Sequence, residues 1–310
     1  MFSHKSVLIK EVESLLLTLE QPRLVVDATL GLGGHATMML SHLWETARLL
    51  GFDRDSENLH DATAHITEAG YSSRFVPVHA SFEDIGDVLD GGDYGEADFV
   101  LYDLGVSSPH YDDGVRGFSV RFDGPLDMRF DRTTGKTAED LVMKLDEREL
   151  MQIFFRYADE KKALFIARAI CEKRKTEKID TTFKLLHIIE DASFDAKSAP
   201  RVFQALRIAV NDEFGHIERS LAEALKRIRV GGKIAVITFH SIEDRLVKNI
   251  FSEYTQDVID DFTWQTRIPA PFRKYTKKPI EPTEEEIHEN PRSRSAKMRV
   301  LEKIHPIQSN

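Results

Sequence analysis

A glycine-rich turn near the N-terminus is the first part of the sequence that could hold a ligand. The turn runs Ala28-Thr29-Leu30-Gly31-Leu32-Gly33-Gly34-His35-Ala36 and follows an apolar run that ends at Asp27. Glycines let a ligand approach the backbone closely, and the amide groups of the next helix then face that ligand. The spacing Gly31-x-Gly33-x-x-Ala36 fits the dinucleotide fingerprint, and Asp53, 20 residues after Gly33, stands where a ribose-binding acid is expected. The turn therefore predicts a nucleoside ligand.

Asp27 bears on which nucleoside binds. A carboxylate at the end of the first strand suits the sulfonium cation of S-adenosylmethionine better than the pyrophosphate anion of NAD. Two alternatives stay open on these residues. One is NAD on the same turn, and the other is a purely structural turn in which Asp53 only caps the next helix.

A second group of candidates begins at Asp103, after an apolar run. Here Ser108-Pro109-His110-Tyr111 is a loosened form of the Asp/Asn/Ser-Pro-Pro-aromatic loop of amino-group methyltransferases. The exocyclic amine of cytosine has its lone pair drawn into the ring, so oxygen atoms that accept its hydrogens help to localise that pair. In-line positioning then matters more than a strong base. A Ser-Pro turn without chemistry is the alternative.

Each residue of this segment has a predicted part in that chemistry. Asp103 and Ser108 are candidate acceptors, Pro109 keeps the segment rigid, and Tyr111 or Phe118 stacks on a base turned out of its helix. The catalytic candidates are therefore Asp103, Ser108, Pro109 and Tyr111.

Histidine and cysteine usage argues against a metal site or a disulfide. His35, His110 and His240 have no spacing typical of zinc, so we expect no structural metal. The single cysteine, Cys171, excludes an internal disulfide and suits a reducing compartment. It falls on an apolar helical stripe with Ile166 and Ile170, which predicts a packed core thiol.

The elements that must position these residues are short β-type runs separated by helical stretches, the pattern of a parallel sheet with crossover helices. Two of the runs end on an aspartate, at the edge of the sheet where ligands bind. A late run, Lys297–Ile304, is expected to pair antiparallel with the sheet edge, and Val7–Leu19 to form a short helix. The five main runs are Leu24–Ala28, Leu49–Asp53, Arg74–Val78, Phe99–Asp103 and Lys233–Thr238.

An insertion interrupts this pattern, because about 130 residues separate the fourth and fifth runs where the earlier spacing is about 25. The inserted stretch is mainly helical, with candidates at Glu147–Tyr157, Asp159–Lys175 and Thr181–Glu190. We predict one domain from residues 1–112 and 215–310, and an inserted helical domain at residues 113–214.

Composition restricts the location and the partners of the protein. No apolar run among its 310 residues approaches the ~20 that span a bilayer, and Lys5, Lys10 and Glu11 leave no room for a signal-peptide core. We therefore expect a cytoplasmic protein without a membrane partner.

The net charge is -10, so any nucleic-acid contact must be local. Residues 161–178 and 267–299 are locally basic, with Lys161, Arg168 and Lys175 on one predicted helix face. Such charge runs are more often solvated faces than binding sites.

Eight ordered motifs together resemble the bacterial 16S ribosomal-RNA cytosine-N4 methyltransferases of the RsmH (MraW) family, over residues 4 to about 303. The motifs are His4-Lys5-Ser6-Val7-Leu8, Asp27-Ala28-Thr29-Leu30-Gly31 with Gly33-Gly34-His35, Asp103-Leu104-Gly105-Val106-Ser107-Ser108-Pro109, Arg116-Gly117-Phe118-Ser119, Gly124-Pro125-Leu126-Asp127-Met128-Arg129, Phe203-Gln204-Ala205-Leu206-Arg207-Ile208, Phe239-His240-Ser241-Ile242-Glu243-Asp244-Arg245 and Asn290-Pro291-Arg292-Ser293-Arg294-Ser295-Ala296.

The resemblance implies an α/β fold, a class I (Rossmann-like) S-adenosylmethionine-dependent methyltransferase sheet with an inserted helical substrate-recognition domain. It implies S-adenosyl-L-methionine as donor and a decoding-centre cytosine of 16S rRNA, within the small ribosomal subunit, as acceptor. The oligomer is expected to be a monomer or homodimer. The family usually has Gln where this chain has His110, which keeps a polar ring nitrogen but changes the reach and possible charge of the side chain. The implied cofactor-binding residues are Gly33, Gly34, His35, Asp53, Phe82, Asp103 and His110.

Two other functions remain alternatives to an RNA cytosine-N4 methyltransferase. One is a dinucleotide-dependent oxidoreductase on the same glycine turn, which the Ser108-Pro109 segment disfavours. The other is a ribosome-assembly protein that has lost turnover, against which the intact Asp53 and Asp103 argue.

Overall fold

The computed structural model describes residues 6–92, 94–104, 116–260 and 263–307. The chain divides into two compact units, the first formed by Met1–Gly105 with His216–Asn310 and the second by Val106–Gly215. The divisions fall at residues 105 and 215, whereas the sequence predicts residues 112 and 214. No helix among the described residues is long and apolar enough to cross a membrane.

The first unit is built on a mixed sheet whose strand order is β3-β2-β1-β4-β5-β9-β8. The first five of these strands are parallel, and β9 is antiparallel to both β5 and β8. The order 3-2-1-4-5 is that of a doubly wound nucleotide-binding sheet, as predicted. The strands are β1 (Leu24–Asp27), β2 (Arg48–Asp53), β3 (Phe75–His79), β4 (Ala97–Asp103), β5 (Ile228–Thr238), β8 (Phe272–Lys274) and β9 (Lys297–Lys303).

Helices connect these strands and bury their apolar sides against the sheet. Leu40 and Ile66, for example, are fully buried in the same core as Val25 and Phe99 of the central strands. The helices are α1 (Ile9–Leu16), α2 (Gly34–His42), α3 (Ser56–Glu68), α4 (Ile85–Gly91), α10 (Glu213–Lys226), α11 (Ser241–Glu253) and α12 (Glu284–Glu289). The predicted N-terminal helix is shorter than Val7–Leu19, because Leu8 takes a left-handed conformation with φ 55° just before α1.

The late strand predicted at Lys297–Ile304 forms and pairs antiparallel with β5, but it is not the edge of the sheet. Three residues of β8 add a further strand beyond it. A separate hairpin of β6 (Val258–Ile259) and β7 (Thr266–Ile268) precedes β8 in the chain.

The second unit is helical and has its own core, in which Phe154, Ile170 and Leu206 are buried. The predicted helix Asp159–Lys175 begins only at Ala163, because Asp159 ends the preceding helix in a left-handed conformation with φ 47°. Cys171 packs at the margin of this core and is only partly buried. The helices are α5 (Ala138–Lys144), α6 (Glu147–Ala158), α7 (Ala163–Lys173), α8 (Thr182–Ser193) and α9 (Ser198–Val210).

Candidate active site

Three aspartates close three neighbouring parallel strands of the first unit. Asp27 is in register with Gly51 of β2 and with Leu101 of β4. Asp53 and Asp103 each lie two residues beyond those partners. Because side chains two residues apart share a face of a strand, all three carboxylates belong to one face at the carboxyl edge of the sheet.

The glycine turn after β1 lies at the same edge. Gly31 and Gly33 have φ angles of 51° and 77°, which ordinary side chains rarely adopt. A Cβ at Gly34 would overlap the Oγ of Ser6, whereas a Cβ at Gly31 would meet nothing within 4 Å. The turn is thus tight on the side of Ser6 and open at Gly31, as a close backbone approach to a ligand requires.

Asp53 is held by two backbone amides. Its Oδ2 accepts a hydrogen bond from Gly31 N at 3.1 Å, and its Oδ1 accepts one from Asp55 N at 2.8 Å. Burial raises the pKa of Asp53, against the effect of these two donors. Each carboxylate oxygen keeps a second lone pair, so the group can still accept hydrogen bonds from a ligand.

Asp27 is deeply buried and only half satisfied. Its Oδ1 accepts a hydrogen bond from Thr29 N at 3.1 Å, while its Oδ2 has no partner within the described part of the chain. Burial raises the pKa of Asp27 to about 6, and the imidazole of His35 acts in the opposite direction. A buried carboxylate that lacks a partner favours a cationic or hydrogen-bond-donating ligand and disfavours an anion.

His35 stands in the first turn of α2 beside Asp103. Its Nε2 is 3.6 Å from Asp103 Oδ2, and among the described residues neither ring nitrogen has a hydrogen-bond partner. Asp103 is tied in place through its backbone, because its N–H donates to Thr29 Oγ1 at 2.6 Å. No sequence pattern assigns a role to Thr29, although it lies within the turn. The Thr29 hydroxyl joins the segment after β1 to the end of β4, and this contact can be recognised only when the pairing of the two strands is known.

Phe82 lies in a short 3-10 helix, Phe82–Asp84, that follows β3. Its ring meets Tyr102 edge to face at 5.9 Å between centroids. Ser220 fixes both residues, since its Oγ donates to Phe82 O at 2.6 Å and is 2.7 Å from the Tyr102 hydroxyl. Ser220 is another residue that sequence patterns did not reveal.

Part of the predicted site lies outside the described residues, namely Ser108, Pro109, His110 and Tyr111. Phe118, the other predicted stacking residue, is buried in the second unit and stacks on Phe130 at 5.4 Å. A ring buried in this way is not available to a base, which leaves Tyr111 as the stacking candidate.

Several motif residues have structural partners. His240 caps α11, where its Nδ1 accepts from Glu243 N at 3.2 Å and its Nε2 lies 2.7 Å from the Glu243 carboxylate. Asp244 binds the Arg299 guanidinium through both oxygens. Across residues 6–92, 94–104, 116–260 and 263–307, no group of three or more His, Cys, Asp or Glu side chains is placed to hold a metal ion.

The basic helix face predicted at Lys161, Arg168 and Lys175 is largely paired within its own unit. Arg168 reaches Glu147 at 3.3 Å and Lys175 reaches Glu172 at 2.7 Å. Lys161 and Lys175 also lie outside the bounds of α7. This geometry favours a solvated face.

A doubly wound sheet with a glycine turn after its first strand and an acid at the end of its second is the architecture of a nucleoside-binding α/β protein. The MraW methylase family matches residues 1–304. The ribosomal RNA small subunit methyltransferase H of Carboxydothermus hydrogenoformans is 42% identical over 312 residues, which cover 98% of this chain and 98% of that protein. The chain therefore belongs to the MraW methylase family, and the predicted class, an S-adenosylmethionine-dependent methyltransferase, is confirmed.

Solved structures with a similar course of the chain include an rRNA methylase from Streptococcus thermophilus. It has a TM-score of 0.45 at 12% identity and covers 97% of this chain and 99% of that one. The O-methyltransferase TomG from Streptomyces achromogenes, solved in complex with SAM, has a TM-score of 0.46 at 10% identity, with 96% and 80% of the two chains covered.

Proposed function

We propose that this protein transfers the methyl group of S-adenosylmethionine to N4 of a decoding-centre cytosine in 16S rRNA, within the small ribosomal subunit. The observation that carries the proposal is the row of three aspartates at one face of the carboxyl edge, with Asp27 buried and half satisfied. The 42% identity to a protein named ribosomal RNA small subunit methyltransferase H supports the choice of RNA.

The residues present fit the donor. When bound, S-adenosylmethionine supplies an electrophilic methyl group on a sulfonium sulfur. Asp53 would accept hydrogen bonds from the ribose hydroxyls, while the turn residues Gly33, Gly34 and His35 would approach the amino-acid part. Phe82 would pack near the base, and Asp27, whose Oδ2 lacks a partner in the described residues, would favour the cationic ligand.

Asp103 is the central residue of the proposed transfer. Transfer forms a nitrogen–carbon bond as the carbon–sulfur bond breaks, and one N4 hydrogen must then leave as a proton. The Asp103 carboxylate can accept that hydrogen before transfer and take the proton afterwards, and the Nε2 of His35 lies 3.6 Å from Asp103 Oδ2. Ser108, Pro109 and Tyr111 are proposed to complete the acceptor side, with His110 at the cofactor.

Asp27 also weighs against NAD as the ligand of the turn. A pyrophosphate placed on the glycine turn would lie near a buried carboxylate to which no cation is bonded among the described residues. Calorimetric titration with S-adenosylmethionine and with NAD distinguishes the two ligands. The proposal requires that the protein bind S-adenosylmethionine and that it not bind NAD with comparable affinity.

Single-turnover methylation of small-subunit particles from cells that lack the gene tests the function. We expect N4-methylcytidine in the digested rRNA, identified by mass spectrometry. Asp103→Asn should lower the rate by roughly 100-fold or more, since proton acceptors contribute about 10²–10⁴. Asp61→Asn, the same change at an exposed position of α3, is the control.

Three results would contradict the proposal. A methyl group on a ring carbon or a ribose oxygen would show a different acceptor chemistry. An Asp103→Asn variant as fast as the wild type would remove Asp103 from the reaction. No methyl transfer by the folded wild-type protein would favour the assembly-factor alternative.

A further inference from the structure

A basic segment without acids runs from residue 263 to residue 280 in the first unit. It contains Arg267, Arg273, Lys274, Lys277 and Lys278 and neither Asp nor Glu. Arg273 binds Glu302 of β9 at 3.0 Å. The other four are exposed, and none of them forms an ion pair within the part of the chain that the structure describes. By contrast, Arg168 and Lys175 near α7 are paired with Glu147 and Glu172.

The register of the sheet relates this segment to the candidate active site. Asp103 is in register with Ile237 of β5, Ile237 with Met298 of β9, and Met298 with Ile280. Lys274 pairs with Leu301, which lies opposite Ile234. The segment therefore advances toward the carboxyl edge and ends level with Asp103, three strand spacings away, or roughly 14 Å.

Two of the lysines stand on a bulge of the sheet edge. Tyr275 N donates to Val300 O, and Ile280 next exchanges hydrogen bonds with Met298. Four residues, 276–279, thus lie opposite the single residue Arg299. A turn in which Thr276 Oγ1 donates to Lys278 O at 2.6 Å shapes this bulge, which carries Lys277 and Lys278.

An exposed tryptophan precedes the lysines in the β6–β7 hairpin. Trp264 is 81% exposed and has a φ of 56°, which is unfavourable for a bulky side chain. Asp260 holds this conformation, because its carbonyl accepts from Trp264 N and its Oδ1 accepts from Thr263 N. A large aromatic ring fixed in solvent is suited to stacking on an unpaired base.

We infer that residues 263–280 form the surface that binds the 16S rRNA beside the methylated nucleotide, with Lys274, Lys277 and Lys278 on phosphates and Trp264 stacked on an unpaired base. The inference rests on the proposed function and names the surface that holds its substrate. RNA is the occupant that the charge favours, because four exposed cations that have no ion pair with any described residue complement a phosphate backbone.

Protection of the sheet edge is the competing explanation for these lysines, since edge strands commonly carry lysine to prevent pairing with other chains. That explanation requires no RNA contact and gives no role to Trp264. The two explanations differ in the salt dependence of RNA binding.

The test compares a triple variant, Lys274→Gln, Lys277→Gln and Lys278→Gln, with a control of equal charge change, Lys161→Gln, Arg168→Gln and Lys175→Gln. Binding to protein-free 16S rRNA and to unmethylated small-subunit particles is measured over a range of salt. Each lost phosphate contact removes about 0.7–0.9 from the slope of log affinity against log salt. For the first variant we expect the magnitude of this slope to fall by about 2 to 3. Its affinity for RNA at 0.1 M salt should fall on the order of 100-fold. The control should keep the wild-type slope.

Two further variants separate charge from stacking. Replacing the three lysines by arginine should preserve the slope. Trp264→Ala should weaken binding by about 5- to 100-fold with no change in slope, because stacking is not a counterion effect. All of these variants should bind S-adenosylmethionine as the wild type does.

Three outcomes would overturn the inference while leaving the proposed function intact, provided that the wild type methylates cytosine N4. The first is that the triple glutamine variant at Lys274, Lys277 and Lys278 keeps the wild-type slope of log affinity against log salt. This outcome counts against the inference also if the variant self-associates, which is what edge protection predicts. The second is equal loss in the α7 control. The third is lost binding to particles with unchanged binding to free rRNA, which would point to a ribosomal protein as the partner. Absence of methylation by the wild type contradicts the proposed function instead.

Discussion

Asp27 is the residue at which ligand binding and stability conflict most clearly. The carboxylate is buried with one oxygen lacking a partner among the described residues, and its pKa is raised from 3.8 to about 6. The folded state therefore retains a proton between these two pH values while the unfolded chain has released it. Because the unfolded state binds fewer protons in this range, the free energy of unfolding falls as pH rises from about 4 to 6.

Asp27→Asn should remove this effect. In the absence of cofactor, we expect the variant to be more stable than the wild type at pH 7, by about 1–3 kcal/mol, and the difference to vanish near pH 4. Urea unfolding at a series of pH values measures it, with Asp61→Asn as the exposed control. Equal destabilisation of Asp27→Asn at pH 4 and at pH 7 would show that folding does not raise the pKa of Asp27.

Asp53 should contribute to cofactor affinity. Charge-assisted hydrogen bonds contribute about 1.5–3 kcal/mol, so Asp53→Asn should weaken S-adenosylmethionine binding by about one to two orders of magnitude. Asparagine keeps an acceptor for only one of the two backbone amides that now bind Asp53, because its NH2 group donates and does not accept. Asp55→Asn is the matched control, because Asp55 caps α3 without taking part in the proposed site. An unchanged dissociation constant for Asp53→Asn, measured by calorimetry, would remove Asp53 from the ribose contact.

Some residues of the candidate site could be predicted from the sequence and others could not, because local sequence positions the first group and long-range contacts position the second. Asp27, Asp53 and Asp103 follow apolar runs directly, so the sequence places them at strand ends. Thr29 and Ser220 act through contacts with residues 74 and 138 positions away, and no local pattern encodes such contacts.

At the scale of elements, four of the five main strands that the sequence predicted, β1, β2, β4 and β5, are largely buried, whereas β3 buries only Phe75. β5 begins at Ile228, earlier than predicted, because the sequence suggests a turn at Gly231 and Gly232. In the structure these glycines lie within the strand, where the register with β4 shifts between the pairs Ala97–Ile228 and Phe99–Lys233. β8 escaped prediction because two of its three residues are exposed and its hydrogen bonds depend on β9.

The glycine turn allows a test at this scale. Gly31 and Gly70 both have positive φ angles, 51° and 85°, and a Cβ on either would meet nothing within 4 Å. Alanine at either position should destabilise the fold by about 1–2 kcal/mol through backbone strain. Only Gly31→Ala should also weaken S-adenosylmethionine binding, because the Gly31 amide orients Asp53. Paired thermal unfolding and calorimetry measure both effects, and equal affinities for the two variants would refute a role of the turn in binding.

At the scale of the whole molecule, charge and core are both distributed unevenly. The net charge of -10 opposes general attraction to RNA, so contact depends on local surfaces such as residues 263–280. Each compact unit encloses its own hydrophobic core, and the described residues proposed to bind the cofactor all belong to the first unit.

Separate cores predict separable unfolding. Phe154 in the second unit and Phe99 in the first are both fully buried, and truncation of either to alanine should cost about 3–5 kcal/mol. Because domains with their own cores can unfold independently, Phe154→Ala should lose hydrogen-exchange protection in α5–α9 while β1 and β4 stay protected. Its affinity for S-adenosylmethionine should then match that of the wild type, whereas Phe99→Ala should lose both protection of the sheet and affinity. If Phe154→Ala instead exposes β1 and β4 to the same extent as α5–α9, the two units unfold as one cooperative body, and cofactor binding depends on the insertion as well.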